Sequence, residues 1–317
     1  EERQLPAVDR SELCGSLEQG MKILLLGKNG QVGWELQRSL EPLGQLIALD
    51  RQTADGLCGD LTDLAAVRAT IRQIKPDVIV NAAAYTAVDK AESEPELAFI
   101  VNGQAMQVLA EEAAALNAWL VHYSTDYVFN GIGSVPWLET DAVGPVNQYG
   151  ASKLAGEQAI IASGCKHLIF RTSWVYGARG NNFARTMLRL AKDRETLNVI
   201  ADQIGAPTGA DLIADVSALA IRQALQQPEL SGVYHLAASG EVSWHGYAAH
   251  VIAFAQANGE KLAVTAVNPI DTTAYPTPAQ RPLNSRLNTQ KLRAKFYLHL
   301  PDWQSGVNRM LREVLNK

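Results

Sequence analysis

Tyr149 and Lys153 stand four residues apart in Tyr149-Gly150-Ala151-Ser152-Lys153. On a helix that spacing puts a phenol and an ammonium on one face. A tyrosine with its ordinary pKa near 10 is a poor acid–base catalyst at neutral pH, and a nearby cation favours its phenolate. Lowering such a pKa by about 3 units takes roughly 4 kcal/mol, within reach of one charge in a semi-enclosed site. The spacing alone reads equally well as an exposed helix pair.

A second group gives the pair something to act with. His122-Tyr123-Ser124-Thr125-Asp126-Tyr127-Val128-Phe129 carries hydroxyls at the carboxyl end of a predicted strand. Ligands of open α/β sheets bind in the crevice at such strand ends. There a Ser or Thr hydroxyl can bond a substrate carbonyl while a tyrosine gives or takes the proton.

A third group is Gly27-Lys28-Asn29-Gly30-Gln31-Val32-Gly33, between a predicted strand and a predicted helix. Gly27 suits a tight turn, Gly30 lets backbone approach a pyrophosphate, and Gly33 lets the helix pack close to the strand. The helix N-terminus offers free N–H groups and a positive dipole. Asp50 closes the next strand, 17 positions after Gly33, where an acid can accept bonds from an adenosine ribose. Arg51 follows at once and could meet a 2′-phosphate, so this pair leaves NADH and NADPH both open.

The elements that must position these groups follow from the hydrophobic pattern. Predicted strands cover 22–26, 45–49, 77–81, 119–124 and 166–171, and helices follow the Gly-rich turn to about Leu40 and cover 64–74, 95–116 and 152–162. The alternation predicts an α/β fold: a Rossmann-type doubly wound parallel sheet covered on both faces. Beyond about Thr172 the rhythm is less regular, with helices over 182–193, 211–226, 244–257 and 303–315, a strand over 233–237 and a Pro-rich loop over 269–282. We expect a dinucleotide-binding domain from 21 to 175 plus about 210–240. A smaller α/β substrate domain would take about 176–209 and 241–317. Residues 1–20 are polar and aperiodic, and we expect a disordered extension.

Composition narrows the class. With 47% hydrophobic and 19% charged residues the chain can form a packed core, which excludes disorder as its main state. The net charge is -5 and no basic run stands out, so no nucleic-acid or anionic-membrane surface is expected. No apolar run approaches the roughly 18 residues of a membrane span. The first twenty residues lack the apolar core of a secretory signal. Cys14, Cys58 and Cys165 are odd in number and have no CxxC spacing, which suits a reducing cytoplasm.

Several separate segments together resemble the extended short-chain dehydrogenase/reductases, and among them the dTDP-4-dehydrorhamnose reductase family, over essentially all of 21–317. They are Gly27 to Gly33, Asn81-Ala82-Ala83-Ala84-Tyr85-Thr86-Ala87-Val88-Asp89-Lys90, Ser124 to Phe129 and Tyr149 to Lys153. Three more are Arg171-Thr172-Ser173-Trp174-Val175-Tyr176-Gly177, Asp202-Gln203-Ile204-Gly205-Ala206-Pro207-Thr208 and Arg281-Pro282-Leu283-Asn284-Ser285-Arg286-Leu287. The last two carry most of the subfamily resemblance.

The resemblance implies NAD(P)H-dependent reduction of the C4 keto group of dTDP-4-dehydro-β-L-rhamnose, the last step toward a rhamnose donor for surface polysaccharide. It makes Tyr149 the acid for the C4 oxygen. Lys153 would lower its pKa and hold the nicotinamide ribose, and Thr125 would bond the C4 oxygen with Asp126 beside the sugar. Gly30, Gln31 and Val32 would meet the pyrophosphate, Asp50 the ribose, and Asp60 and Leu61 the adenine. Ala83, Ala84, Thr86 and Tyr123 would flank the cofactor, Trp174 would close on the sugar or nucleotide, and Arg281 would border the substrate cleft. Asn102 is a looser match to an Asn that supports a proton relay. The family also implies a homodimer and Mg²⁺ held by acids meeting at its interface, for which Glu35, Asp211 and Glu313 are candidates. Each of these reads more simply as a solvated helix residue.

Two rivals share the resemblance. One is a sister sugar-nucleotide epimerase or 4,6-dehydratase with tightly held NAD. Dehydratases typically follow the Thr-Asp pair with Glu, whereas Tyr127 stands here and reads as an apolar wall. The other is a non-catalytic regulatory subunit, like that of methionine adenosyltransferase. His122 and His235 lie within predicted strands and read as core residues, while His245 and His250 are five apart, off the i, i+4 spacing of a zinc pair.

Overall fold

A computed structural model describes residues 20–316. The expected extension over 1–20, with Cys14, lies outside them apart from Gly20. Six strands form one parallel sheet: Lys22–Leu26 (β1), Gln45–Leu49 (β2), Val78–Asn81 (β3), Trp119–Thr125 (β4), Lys166–Thr172 (β5) and Gly232–His235 (β6). Their order is β6-β5-β4-β3-β1-β2, so the chain reverses direction across the sheet between β1 and β3. That switch point opens the crevice at the carboxyl ends of the strands.

The crossovers are Gln31–Leu40 (α1), Leu64–Ile74 (α2), Ala105–Leu116 (α3), Gln148–Ser163 (α4) and Ala210–Ala224 (α5). The apolar run Ile23 to Leu26 is buried throughout because both sheet faces are covered. Ile23 and Leu25 pack with Leu36, Leu40, Ile213 and Ile221 from α1 and α5. Leu24 and Leu26 point the other way, toward Val67 and Ile71 of α2, Leu109 of α3 and Ile160 of α4. Cys58 and Cys165 are buried.

Local signals set the helix ends. The Asn147 side chain accepts from the Gly150 N–H at 2.8 Å and starts α4, which stops at left-handed Gly164. The expected helix over 95–116 is interrupted: Pro95–Phe99 passes through a π-turn, Ile100–Gln104, into α3. A third apolar cluster joins the helices Phe183–Asp193, Trp244–Ala257 and Trp303–Leu315 through Leu188, Tyr247, Val251, Trp303 and Leu311. Beside it Thr196–Ile200 pairs in parallel with Ala266–Ile270, a pairing the sequence pattern did not announce. Among the described residues no helix is long and apolar enough to cross a membrane.

Candidate active site

The Gly-rich turn joins β1 to α1 under tight steric limits. Gly27 has φ +87°, and a Cβ there would lie 2.6 Å from the Ala83 backbone nitrogen. A Cβ on Gly33 would meet the Gly27 carbonyl oxygen at 2.0 Å. Around Gly30 the nearest such contact is 3.5 Å, so that position stays open. No side chain caps α1, whose first N–H groups face the turn's ligand side. Asp50, at the end of β2, accepts from the Asn29 amide at 2.6 Å and the Gln52 N–H at 2.8 Å. Lys28 lies 3.9 Å from the same carboxylate.

A cavity of about 710 Å³ runs from this turn across the switch point. It is lined by Gly27, Gly30, Gln31, Val32, Asp50, Ala83, Ala84, Thr86, Tyr123, Tyr149 and Lys153, which brings together these residues assigned to the cofactor from the sequence. Asp60 and Leu61 stand off it. Asp60 spends its carboxylate on Thr62, Leu61 is buried in the core, and Gly59 lines the wall instead. Gly33 serves helix packing. Ser124, one of the strand-end hydroxyls read from the sequence, lines it too, and so does Thr172, to which no role was assigned; both buried hydroxyl oxygens have no protein partner. Their places at the ends of β4 and β5 were the available signal. Unspent hydroxyls, an open glycine turn and an acid at the end of β2 fit a dinucleotide.

Tyr149 and Lys153 both reach this cavity from α4, but they do not share a proton pair as expected. Burial pushes the Tyr149 phenol up to about 12; the Asp126 charge adds to the rise, and a hydrogen bond with the Thr125 hydroxyl opposes it. Lys153 is not among the groups that shift that phenol. Its Nζ donates to the Tyr123 carbonyl at 2.6 Å and lies 3.2 Å from His122 Nε2. Burial lowers Lys153 to about 7, partly offset by the charge of Glu157. Asp126, buried at the end of β4, is pushed up to about 7 by desolvation, against hydrogen bonds from Ser285 and Thr125. Asn102 bonds the Tyr85 backbone and the Ser152 hydroxyl, so its side chain braces a loop against α4.

A second cavity, of about 620 Å³, lies toward the third cluster and is lined by Asp89, Tyr127, Phe183, Gln203, Trp244 and Arg281, among others. Arg281 holds Asp89 with two hydrogen bonds, at 2.8 and 2.9 Å. Tyr127 of this cavity meets Tyr149 of the first edge-to-face, so the two spaces adjoin at that ring pair. Trp174 does not line the second cavity. It stacks on Trp244, ring centroids 3.6 Å apart, with a left-handed φ of 49°. Trp244, which the sequence reading passed over, presents the indole to the space.

Glu35, Asp211 and Glu313 do line one cleft, of about 320 Å³. They do not fit a metal as they stand. Asp211 is paired with Arg309, Glu35 with Arg38, and Arg38 also with Asp215. Among the described residues no three His, Cys, Asp or Glu side chains cluster closely enough to hold an ion.

A parallel sheet with a glycine turn after β1, an acid after β2, hydroxyls ending β4 and a Tyr/Lys pair on α4 defines a Rossmann-type oxidoreductase of the extended short-chain dehydrogenase/reductase class. The model of the RmlD substrate binding domain matches residues 21–316. The dTDP-4-dehydrorhamnose reductase of Escherichia coli (strain K12) is 60% identical over 294 residues, 93% of this chain and 98% of that one. That of Burkholderia thailandensis is 50% identical over 303 residues, covering 94% and 100%. A crystal structure of dTDP-4-dehydrorhamnose reductase from Bacillus anthracis in complex with NADP aligns with TM-score 0.82 at 35% identity, covering 93% of this chain and 100% of that one. One from Clostridium acetobutylicum aligns with TM-score 0.84 at 34% identity, covering 94% and 100%. The chain belongs to the dTDP-4-dehydrorhamnose reductase family. A UDP-glucose 4-epimerase from Thermus thermophilus, 22% identical with TM-score 0.76, shares the fold alone.

Proposed function

We propose that the protein reduces the C4 keto group of dTDP-4-dehydro-β-L-rhamnose to dTDP-β-L-rhamnose, consuming NADPH or NADH. The carrying observation is that Tyr149, bonded by Thr125, stands at the junction of the glycine-turn cavity and the Arg281 cavity. When bound, the reduced nicotinamide supplies the hydride for C4. Gly27 to Val32 and the α1 N-terminus receive the pyrophosphate, and Asp50 the ribose, with Lys28 and Arg51 available to a 2′-phosphate. Tyr149 keeps its proton at neutrality and gives it to the C4 oxygen as charge develops there. Thr125 turns its hydroxyl to the same oxygen. Lys153 orients the nicotinamide ribose. The second cavity, with Arg281 and Trp244, grips the nucleotide away from the reacting carbon, and that remote binding aligns the carbonyl. Asp126 lies beside this junction, and Trp174 backs the Trp244 indole.

In this reading the β1–β6 layer, about 21–175 with 210–240, carries the cofactor, and the remainder carries the substrate. A rhamnose donor for surface polysaccharide would be made in the cytoplasm. The implied homodimer is where Mg²⁺ belongs: the Glu35–Asp211–Glu313 cleft needs a second copy to add acids before it can hold an ion, and no part of the reduction uses it. Following the reduced-nicotinamide absorbance with dTDP- and GDP-linked 4-ketohexoses, each with NADH and NADPH, tests the proposal. It predicts one reduced cofactor consumed per dTDP-ketosugar. Turnover without added reductant would instead favour the epimerase or dehydratase reading.

A further inference from the structure

Gln203 stands in the middle of a hydrogen-bond chain whose polarity is fixed at both ends. The Trp244 indole N–H can only donate, and it reaches Gln203 Oε1 at 3.1 Å. The Gln203 amide nitrogen then faces Thr272 Oγ1 and donates to it at 3.0 Å. The Thr272 hydroxyl gives its one proton to Asp202 Oδ1 at 2.6 Å, and its backbone N–H meets both Asp202 oxygens at 3.0 Å. Gln203 is 3% exposed, so a broken link would leave a buried polar group unpaired. The backbone holds the same place: Ile204–Gly205 runs antiparallel to Val242–Ser243, the residues just before Trp244. A Cβ on Gly205 would lie 2.7 Å from the Trp174 ring. Without it the Trp174 indole lies against bare backbone and stacks on Trp244, with planes at 13°.

What Trp244 can still offer the second cavity follows by subtraction. Its N–H is taken by Gln203 and one ring face by Trp174, so only carbon surface is left. Phe183, Met187 and Leu190 line the same space and add more of it. A hexose carries hydroxyls that would find no partner on such a wall. A nucleobase is a flat ring, and flat rings stack on aromatic side chains whatever their edge groups. The charged pair of this cavity, Arg281 with Asp89, lies within electrostatic reach of Tyr127, at the end where the sugar reacts. We infer that Trp244 stacks on the base of the nucleoside diphosphate sugar, and that Gln203 is a positioning residue that turns the indole for it. The identity of that nucleotide rests on the proposed function; the polarity of the Trp244–Gln203–Thr272–Asp202 chain does not.

The probe is dTDP, which needs no turnover, titrated into the full chain and followed by the proton signal of its thymine methyl group. Stacking on an indole moves that signal upfield. We expect the upfield shift in wild type and a smaller one in Gln203→Met, with dTDP affinity down about tenfold, inside the range of one base–aromatic stack. Trp244→Phe keeps a ring but has no N–H to hold. Gln203→Met added to it should therefore cost little more, because the two act as one unit. Losses that add in full would show that Gln203 acts elsewhere and would overturn its positioning role. A wild type that binds no dTDP, or binds it with an unshifted methyl, would overturn the inference whether or not the variants fold. Ketosugar turnover with an unshifted methyl would strike the stack and leave the reductase reading; a shifted methyl without turnover would do the reverse.

Discussion

Tyr127 meets Tyr149 edge-to-face, with ring centroids 5.8 Å apart and planes at 81°. The residue after the Thr125-Asp126 pair thus packs on the phenol and offers no carboxylate. Such aromatic pairs are worth about 0.5–1.5 kcal/mol. Tyr127→Phe keeps the ring contact, so kcat/KM for ketosugar reduction should stay within about threefold of wild type, a change of about 0.6 kcal/mol, no more than the weak end of one such contact. A loss of two orders of magnitude would give the Tyr127 hydroxyl a chemical role.

Thr125 bonds the Tyr149 phenol and is 6% exposed, so Thr125→Val removes a hydroxyl with little change of shape. We expect kcat to fall by roughly 10² or less, the scale of one lost donor to a developing oxyanion. Steady-state kinetics with saturating ketosugar measure it, and an unchanged kcat would make the hydroxyl a bystander.

Arg281 faces the second cavity and holds Asp89. Arg281→Met should raise KM for the dTDP-sugar at least tenfold while leaving NADPH binding, measured by fluorescence titration, as in wild type. An increase in the NADPH dissociation constant with KM unchanged would move Arg281 to the other ligand.

Asp126 gives a pH prediction. Its folded value, pushed up to about 7, lies above its ordinary value of 3.8. A raised carboxyl makes its contribution to stability fully below the ordinary value, and that contribution is lost as pH rises through the folded one. Asp126→Asn cannot ionise, so it should gain Tm relative to wild type on going from pH 5 to pH 8, the span that crosses the Asp126 value of about 7. Melting curves that shift in parallel at both pH values would show Asp126 ionised throughout.

Much of the frame was legible because it rests on local rules. The β1 run and the glycine turn each follow from a few neighbouring residues. The Tyr149/Lys153 spacing placed both side chains in one cavity. What the spacing could not show was which atom each side chain reaches. Lys153 turns to the Tyr123 carbonyl because β4 runs beneath α4, a tertiary fact. The left-handed backbone of Trp174 and its stack on Trp244, seventy residues on, have no local signature either. Glu35, Asp211 and Glu313, expected among acids meeting at an interface of two subunits, line one cleft of this chain, and Arg38 and Arg309, which neutralise acids there, come from the same helices and were overlooked.

The most direct test of the account is Tyr149→Phe, assayed for NADPH oxidation with dTDP-4-dehydrorhamnose beside a measurement of NADPH affinity. Loss of the general acid should cut kcat by about 10²–10⁴-fold. NADPH affinity should remain nearly that of wild type. A phenylalanine variant that still turns over at more than a few per cent of the wild-type rate would contradict it.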